Sequence, residues 1–450
     1  MCMKFPNTKV VILAGGLGSR MCASSVPKPF MQKLPGITCI QDICKLNIEA
    51  GFDASDIYVV VCTKEQAELA KSQLKTIGVP YANILMFDPH FGYVAVMSEA
   101  ATAVQELFGD CNVFICPSDQ HVGNREAYML TVENMHKVVT ATSQPCCAGV
   151  RIVDENQITA LGNSKYDRLK KDENGSYQIE EFFEKPSLTK AKELLRDGNS
   201  LASTGFYMIP AKQLTDAYPH KEMLEKLERF LAEGSTDADL KLSVKEFILK
   251  LNFRVVCMNA DWSDIGSLPE LYEIQRKTPN HRNATIGDSY RYQCLDSFFV
   301  TDVAGLRIYG TNIVNATVLS NTRNKDKLCI GVISFAASQM AGIMSKIFEG
   351  KELTEAEKNA YTILSGEYRN CRVCTTNISH DCIVVTMGVQ NVTITANRLN
   401  DGDINIIAGC DNQETCIDEE AIALALKALK DKEEDRDEIK HAIQAITARS

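Results

Sequence analysis

Short apolar runs that stop at glycine, proline or a polar pair organise the first 280 or so residues. Val10 to Leu13 ends at Ala14-Gly15-Gly16. IYVVVC over Ile57 to Cys62 and NVFIC over Asn112 to Cys116 are built the same way. Continuous apolar runs, as opposed to alternating ones, are the mark of strands buried on both faces of a parallel sheet. Between them, Lys64 to Ile77 and Val94 to Phe108 carry apolar residues at helical spacing. Strand and helix in alternation predict a doubly wound, Rossmann-like α/β domain. Ligands of such domains sit at the carboxyl ends of the strands, so the residues directly after each run are the candidates for chemistry.

The pattern changes after about Lys277. From Ala284 to Ser320 the chain reads as short β-type runs (SFFVTD, LRIYG, NIVNATVL), and the texture returns at Cys382 to Ala408. Gln339 to Leu364 between them has helical composition. Ile417 to Leu429 reads as an amphipathic helix, followed by the charged run KDKEEDRDE, a solvated face. The predicted organisation is an α/β domain over 1–280, a β-rich domain over 281–411 with a helical insertion near 325–370, and a helical tail over 412–450.

Composition narrows the function. The 450 residues are 45% hydrophobic and 24% charged, with a formal net charge of −10. That balance disfavours nucleic acid, whose affinity comes from Lys and Arg on phosphates. Any site for a small anion must be locally basic against the global field. The 17 cysteines are odd in number and scattered, which reads as reduced thiols of a cytoplasmic protein. Cys371 and Cys374 form a single CxxC without a second pair to complete a zinc site. No apolar stretch approaches the roughly 20 residues that span a bilayer, and the N-terminus lacks the apolar run of a secretory signal.

Five motifs, the first of them in two parts, carry candidate chemistry. Gly15-Gly16-Leu17-Gly18-Ser19-Arg20 follows the first run. Its glycines let backbone N–H groups approach phosphate oxygens, and Arg20 can bridge two of them. Pro27-Lys28-Pro29-Phe30 then aims a second cation between two prolines. Pro117-Ser118-Asp119 closes the NVFIC run with a carboxylate, a natural Mg²⁺ ligand beside phosphates. Glu184-Lys185-Pro186 pairs an acceptor for sugar hydroxyls with a cation for a phosphate. Ala202-Ser203-Thr204-Gly205-Phe206 and Asp261-Trp262-Ser263-Asp264-Ile265-Gly266 complete the set. Taken alone, each has an ordinary alternative: a glycine-rich turn, a helix cap, a surface ion pair, a strand with its turn.

In this order and at this spacing, over roughly residues 9–273, the segments resemble the motifs of the sugar-phosphate nucleotidyltransferases, chiefly the mannose-1-phosphate guanylyltransferases of the bacterial long form. The resemblance implies a nucleotidyltransferase that joins a sugar 1-phosphate to a nucleoside triphosphate with release of pyrophosphate, GTP and mannose 1-phosphate being the favoured pair. It implies catalytic roles for Arg20, Lys28, Asp119 and Asp264, with Mg²⁺ on Asp119 and Asp264. It implies nucleotide contacts from Ala14, Gly15, Gly16, Gly18, Ser19 and Ser118, and sugar-phosphate contacts from Glu184, Lys185, Ser203 and Gly205. It further implies a β-helical C-terminal domain, through which a homo-oligomer is open. No R-P-W-G motif of the fused isomerase domain is present.

The chain departs from the family at its readers. Gly92 and Tyr93 stand where arginine and asparagine are usual, Gln120 where histidine follows the metal aspartate, Ser203 in place of a sugar-binding asparagine, and Lys245 in place of an acidic residue. Base and sugar preference therefore stay open. Two rival readings remain: a superfamily enzyme using another base or sugar, and a non-catalytic sensor of nucleotide sugars. The opening motifs alone would also suit a cytidylyltransferase of the isoprenoid type, against which Glu184-Lys185-Pro186 and Trp262 to Gly266 argue.

Overall fold

The computed structural model describes residues 5–16, 27–34, 36–87, 92–152, 155–222 and 243–266, a few isolated positions up to 274, and separate strands and helices between 284 and 410. Gly18, Ser19, Arg20 and the anticipated tail helix lie outside the described residues. The chain divides into two compact units, one of residues 1–16 and 38–264, the other of residues 17–37 and 265–450.

In chain order the strands of the first 264 residues are β1 (Thr8–Leu13), β2 (Gln32–Leu34), β3 (Ile37–Thr38), β4 (Ile57–Val61), β5 (Ile84–Met86), β6 (Asn112–Pro117), β7 (Gln120–Val122), β8 (Cys146–Val150), β9 (Gly162–Lys171), β10 (Ser176–Glu184), β11 (Ser200–Pro210), β12 (Arg254–Cys257) and β13 (Trp262–Asp264). The helices are α1 (Cys39–Ala50), α2 (Lys64–Leu74), α3 (Gly92–Phe108), α4 (Arg125–Thr142), α5 (Glu155–Ala160), α6 (Leu188–Asp197), α7 (Ala211–Ala217) and α8 (Val244–Lys250).

Nine strands form one sheet in the order β5-β4-β1-β6-β11-β8-β12-β10-β9. β1 pairs in parallel with β4 on one side and β6 on the other. All five residues of β4 are buried, which is why that run shows no alternation. β11 enters antiparallel to β6, so the parallel part of the sheet continues as a mixed one. The faces differ in filling. Val113 and Ile115 of β6 join α3 residues such as Val94, Met97 and Val104 in one core cluster. On the other face Phe114 stacks against Phe52 and Phe206 at 5.9 and 6.1 Å, and Tyr128 of α4 meets Phe206 edge-on. Two helices begin with capping boxes, Thr38 with Gln41 at α1 and Thr63 with Gln66 at α2, the second of them at a helix the sequence pattern predicts.

In the second unit the strands are β14 (Ala284–Ile286), β15 (Ser289–Leu295), β16 (Phe298–Thr301), β17 (Leu306–Val314), β18 (Ala316–Asn321), β19 (Leu328–Ser334), β20 (Arg372–Thr376), β21 (Cys382–Met387), β22 (Val392–Arg398) and β23 (Ile404–Cys410). They form two five-stranded sheets, β14-β16-β18-β19-β21 and β15-β17-β23-β22-β20. Helices α9 (Ala341–Phe348) and α10 (Glu355–Gly366) occupy the stretch whose composition predicts helix. Among the described residues, no helix is long and apolar enough to cross a membrane.

Candidate active site

At the carboxyl end of β1 three segments leave the sheet together. Ala14 N–H donates to the Val60 carbonyl at 2.8 Å, and Ser118 N–H donates to the Leu13 carbonyl at 3.2 Å. The glycine-rich segment thus emerges between β4 and β6, where the chain's connections reverse direction across β1. That is the topological switch point, where open α/β sheets place their ligands. Ala14 and Ser118 are buried and Gly16 is exposed, so the segment passes from core to surface within two residues.

The two aspartates, 145 positions apart, meet. β13 pairs antiparallel with β7, matching Trp262 to Val122, Ser263 to His121 and Asp264 to Gln120. The pairing is extended by Gly123 N–H to the Asp261 carbonyl at 3.0 Å and Asn124 N–H to the Ala260 carbonyl at 2.9 Å. This ribbon sets Asp264 across from the residue that follows Asp119. The Gln120 amide donates to Oδ1 of Asp119 at 3.3 Å and to Oδ1 of Asp264 at 3.5 Å. One neutral donor therefore reaches both carboxylates, in the position where the family carries histidine. Two half-buried carboxylates this close repel, and a cation relieves that repulsion while accepting oxygen donors. The donor set accordingly fits a hard divalent ion. Among the described residues, no three His, Cys, Asp or Glu side chains converge into a fuller metal site.

The remaining anticipated residues fall along β10 and β11. Gly205 has φ +80, and a Cβ placed on it would lie 2.7 Å from Pro117 Cγ. β11 can approach the Pro117-Ser118-Asp119 corner only without a side chain there. Gly205→Ala is therefore expected to cost about 2 kcal/mol or more, from the left-handed backbone and the clash together. A lowered urea midpoint would register it, and an unchanged midpoint would contradict the geometry.

Ser203 Oγ lies 3.3 Å from the Tyr207 hydroxyl. Burial raises the Tyr207 phenol well above its ordinary range, with Cys147 and Glu184 adding repulsion. Glu184 ends β10 opposite Gly162, and its carboxyl is pushed up by desolvation against the pull of Lys185. Lys185 itself has φ +44, an uncommon conformation for a side chain with a Cβ, made less favourable by the following Pro186.

Tyr93, the replacement for a family reader, starts α3 and donates its hydroxyl to the Gly205 carbonyl at 3.4 Å. The residue is part-exposed, but desolvation at its hydroxyl end raises the phenol, and Tyr207, Asp119 and Cys116 add to the shift. The hydroxyls of Tyr93, Ser203 and Tyr207 thus gather along β11. Tyr207 was not singled out in the sequence, because a tyrosine inside an apolar strand reads as core. Lys245 is exposed in the first turn of α8, beyond whose end of the helix Phe247 and Ile248 are buried. Lys28 opens a single 3-10 turn (Lys28–Phe30) behind an extended Pro27 and is itself buried. It belongs to the second compact unit, not to the one holding the aspartates.

An open α/β sheet with a glycine-rich segment and paired carboxylates at its switch point is the layout of a phosphate-handling transferase. The family described as "Nucleotidyl transferase" matches residues 9–281, and the chain belongs to that family. It is 22% identical over 70% of its length to the mannose-1-phosphate guanylyltransferase RfbM of Salmonella typhimurium, covering 69% of that protein. It is 24% identical over 68% of its length to a mannose-1-phosphate guanylyltransferase of Sinorhizobium fredii, covering 62% of that one. Among solved structures it is similar to one described as a mannose-1-phosphate geranyltransferase from Thermus thermophilus. That similarity has a TM-score of 0.56 at 20% identity and covers 76% of this chain and 99% of the other, which bears on the α/β fold.

Proposed function

We propose that the protein makes a nucleoside diphosphate sugar, GDP-mannose from GTP and mannose 1-phosphate, with Mg²⁺ held by Asp119 and Asp264. The observation that carries the reading is the convergence of those two carboxylates on one amide beside the emerging glycine-rich segment. The relatives' names supply the base and the sugar. The chain spans 69% and 62% of the lengths of the two guanylyltransferases described above.

The reaction asks little covalent chemistry of the protein. A sugar phosphate oxygen, anionic at neutral pH, forms a bond to the α-phosphorus of the triphosphate, and the bond to the bridging oxygen breaks to release pyrophosphate. No proton has to be removed from the attacking group, so no histidine or cysteine is needed as base or nucleophile. Catalysis is positioning and charge neutralisation. Asp119 and Asp264 would hold the divalent ion, whose contribution when bound is to neutralise phosphate charge. Gly15, Gly16, Gly18 and Ser19 would present N–H groups to the triphosphate, with Ala14 and Ser118 forming the buried base of that seat. Arg20 and Lys28 would supply the cationic clamp. Glu184, Ser203 and Gly205 would orient the sugar, and Lys185 would meet its phosphate. In the second unit, successive strands from β14 to β18 alternate between the two sheets. This supports reading residues 281–411 as a β-helical domain.

The test is a matrix of four nucleoside triphosphates against several sugar 1-phosphates with Mg²⁺, pyrophosphate release being the readout. The expected result is release with GTP and mannose 1-phosphate above every other pairing. Release with another pairing only would redirect the substrate assignment. Binding of a nucleotide sugar without pyrophosphate from any pairing would favour the sensor reading.

A further inference from the structure

At the carboxyl ends of β1 and β4, their ladder ends at the bond from Ala14 N–H to the Val60 carbonyl. Just past it lie Cys62 N–H on one side and the Gly15 carbonyl on the other. The side chain of Gln66 joins them. Its Oε1 accepts from Cys62 N–H at 2.8 Å and from Thr63 N–H at 3.2 Å, and its Nε2 donates to the Gly15 carbonyl at 3.1 Å. Gln66 is fully buried. Its own N–H donates to Thr63 Oγ1, closing the capping box of α2. A side-chain amide therefore links the two strand ends, as acceptor to one strand and donor to the other.

The opposite side of Gly15 is fixed as well, since a Cβ there would run into Cys62 Sγ. Gly15 is thus seated against the junction of β4 and α2. The next residue, Gly16, is exposed and leads into the glycine-rich segment.

We propose that Gln66 is a positioning residue of the nucleotide site: through the Gly15 carbonyl it holds Gly15 and Gly16, the first residues of the phosphate-binding segment, in place at the end of β1. The proposal rests on reading that segment as the triphosphate seat. Two of the three side-chain bonds of Gln66, those accepted by Oε1, serve the start of the helix, and a glutamate would provide them equally. Only the Nε2 donor reaches the segment. A part-buried carbonyl that loses its donor is costly, and its peptide would rotate to find another partner.

Gln66→Glu separates the two roles, because it keeps the acceptors for Cys62 and Thr63 and removes the donor to Gly15. Gln66→Met, of similar shape, removes both and serves where the glutamate variant does not fold. The expected result for either is a KM for the triphosphate raised by about tenfold, with the KM for the sugar phosphate unchanged. Equilibrium titration with a trinitrophenyl-labelled guanine nucleotide should show a matching loss of affinity. Unchanged nucleotide affinity in a folded variant would overturn the proposal. So would equal losses for both substrates accompanied by a lowered thermal midpoint, the signature of a merely structural role. Failure of the underlying reading looks different: the unaltered protein would then bind no nucleotide.

Discussion

Asp264→Asn is expected to lower the rate of pyrophosphate release by about a thousandfold while leaving the fold in place. The substitution is isosteric. An asparagine oxygen can still accept from the Gln120 amide that now donates to Asp264 at 3.5 Å, and the backbone pairing of β7 with β13 does not use the side chain. What is lost is one of two negative charges facing each other across that amide. A single carboxylate with a neutral oxygen holds a divalent ion far less well than two carboxylates. Trp262 is the only tryptophan of the chain and lies two positions from Asp264 on the same strand. Its emission therefore gives a second readout: titration with Mn²⁺ should quench it in the unaltered protein at concentrations that leave the variant unaffected. Retained turnover in Asp264→Asn, with unchanged circular dichroism, would remove the carboxylate pair from the mechanism.

The central sheet was legible because its strands are short, apolar and cut off by glycine or proline. Ile57 to Val61 and Asn112 to Pro117 lie where their runs predict. The mixed half of the sheet was harder to read. β9 and β10 are a long antiparallel pair with polar, exposed positions and register shifts, and residues such as Lys170 and Glu180 carry no periodic signal that separates strand from loop. In the second unit the β texture was visible, but neither the division of its strands between two sheets nor their pairing, which joins residues as distant as Arg307 and Asn405, can be read from local pattern. Registers of that kind are set by contacts between distant segments.

For the site, chemistry-bearing residue types were visible and their supports were not. Asp119 stands out as a carboxylate closing an apolar run, and Asp264 beside the chain's only tryptophan. Gln120, noted as a departure, turns out to reach both of them. Gln66 had a local signal: Thr63 followed three residues later by a glutamine is a capping box. Nothing in the sequence indicates that the same amide extends to Gly15, since that contact depends on β1 and β4 lying side by side in the sheet. Tyr93 and Tyr207 carry no pattern that distinguishes a site hydroxyl from a core phenol. Their grouping with Ser203 and Gly205 follows from the approach of β11 to the Pro117 corner.

Lys185→Met is expected to reduce kcat/KM for the sugar phosphate by about two orders of magnitude, and the reason lies in the backbone. Lys185 follows the last rung of β10, Glu184 opposite Gly162, and precedes Pro186 and Ser187, whose hydroxyl caps α6. Held between a strand end and a helix start, it adopts φ +44, which costs about 1 kcal/mol or more for a residue with a Cβ. A glycine would take that conformation without strain. Lys185→Gly should thus fold as stably as the unaltered protein or slightly more so, yet lose as much catalytic efficiency as Lys185→Met. Lys185→Arg, which restores a cation, should recover part of it. The loss should fall on the sugar phosphate and spare the KM for the triphosphate, because the residue stands beside Glu184 and away from the end of β1. Steady-state kinetics for the three variants, set beside their urea midpoints, checks both halves of the expectation. A methionine variant as efficient as its parent would mean that the strained lysine serves the turn into α6 and takes no part in binding phosphate.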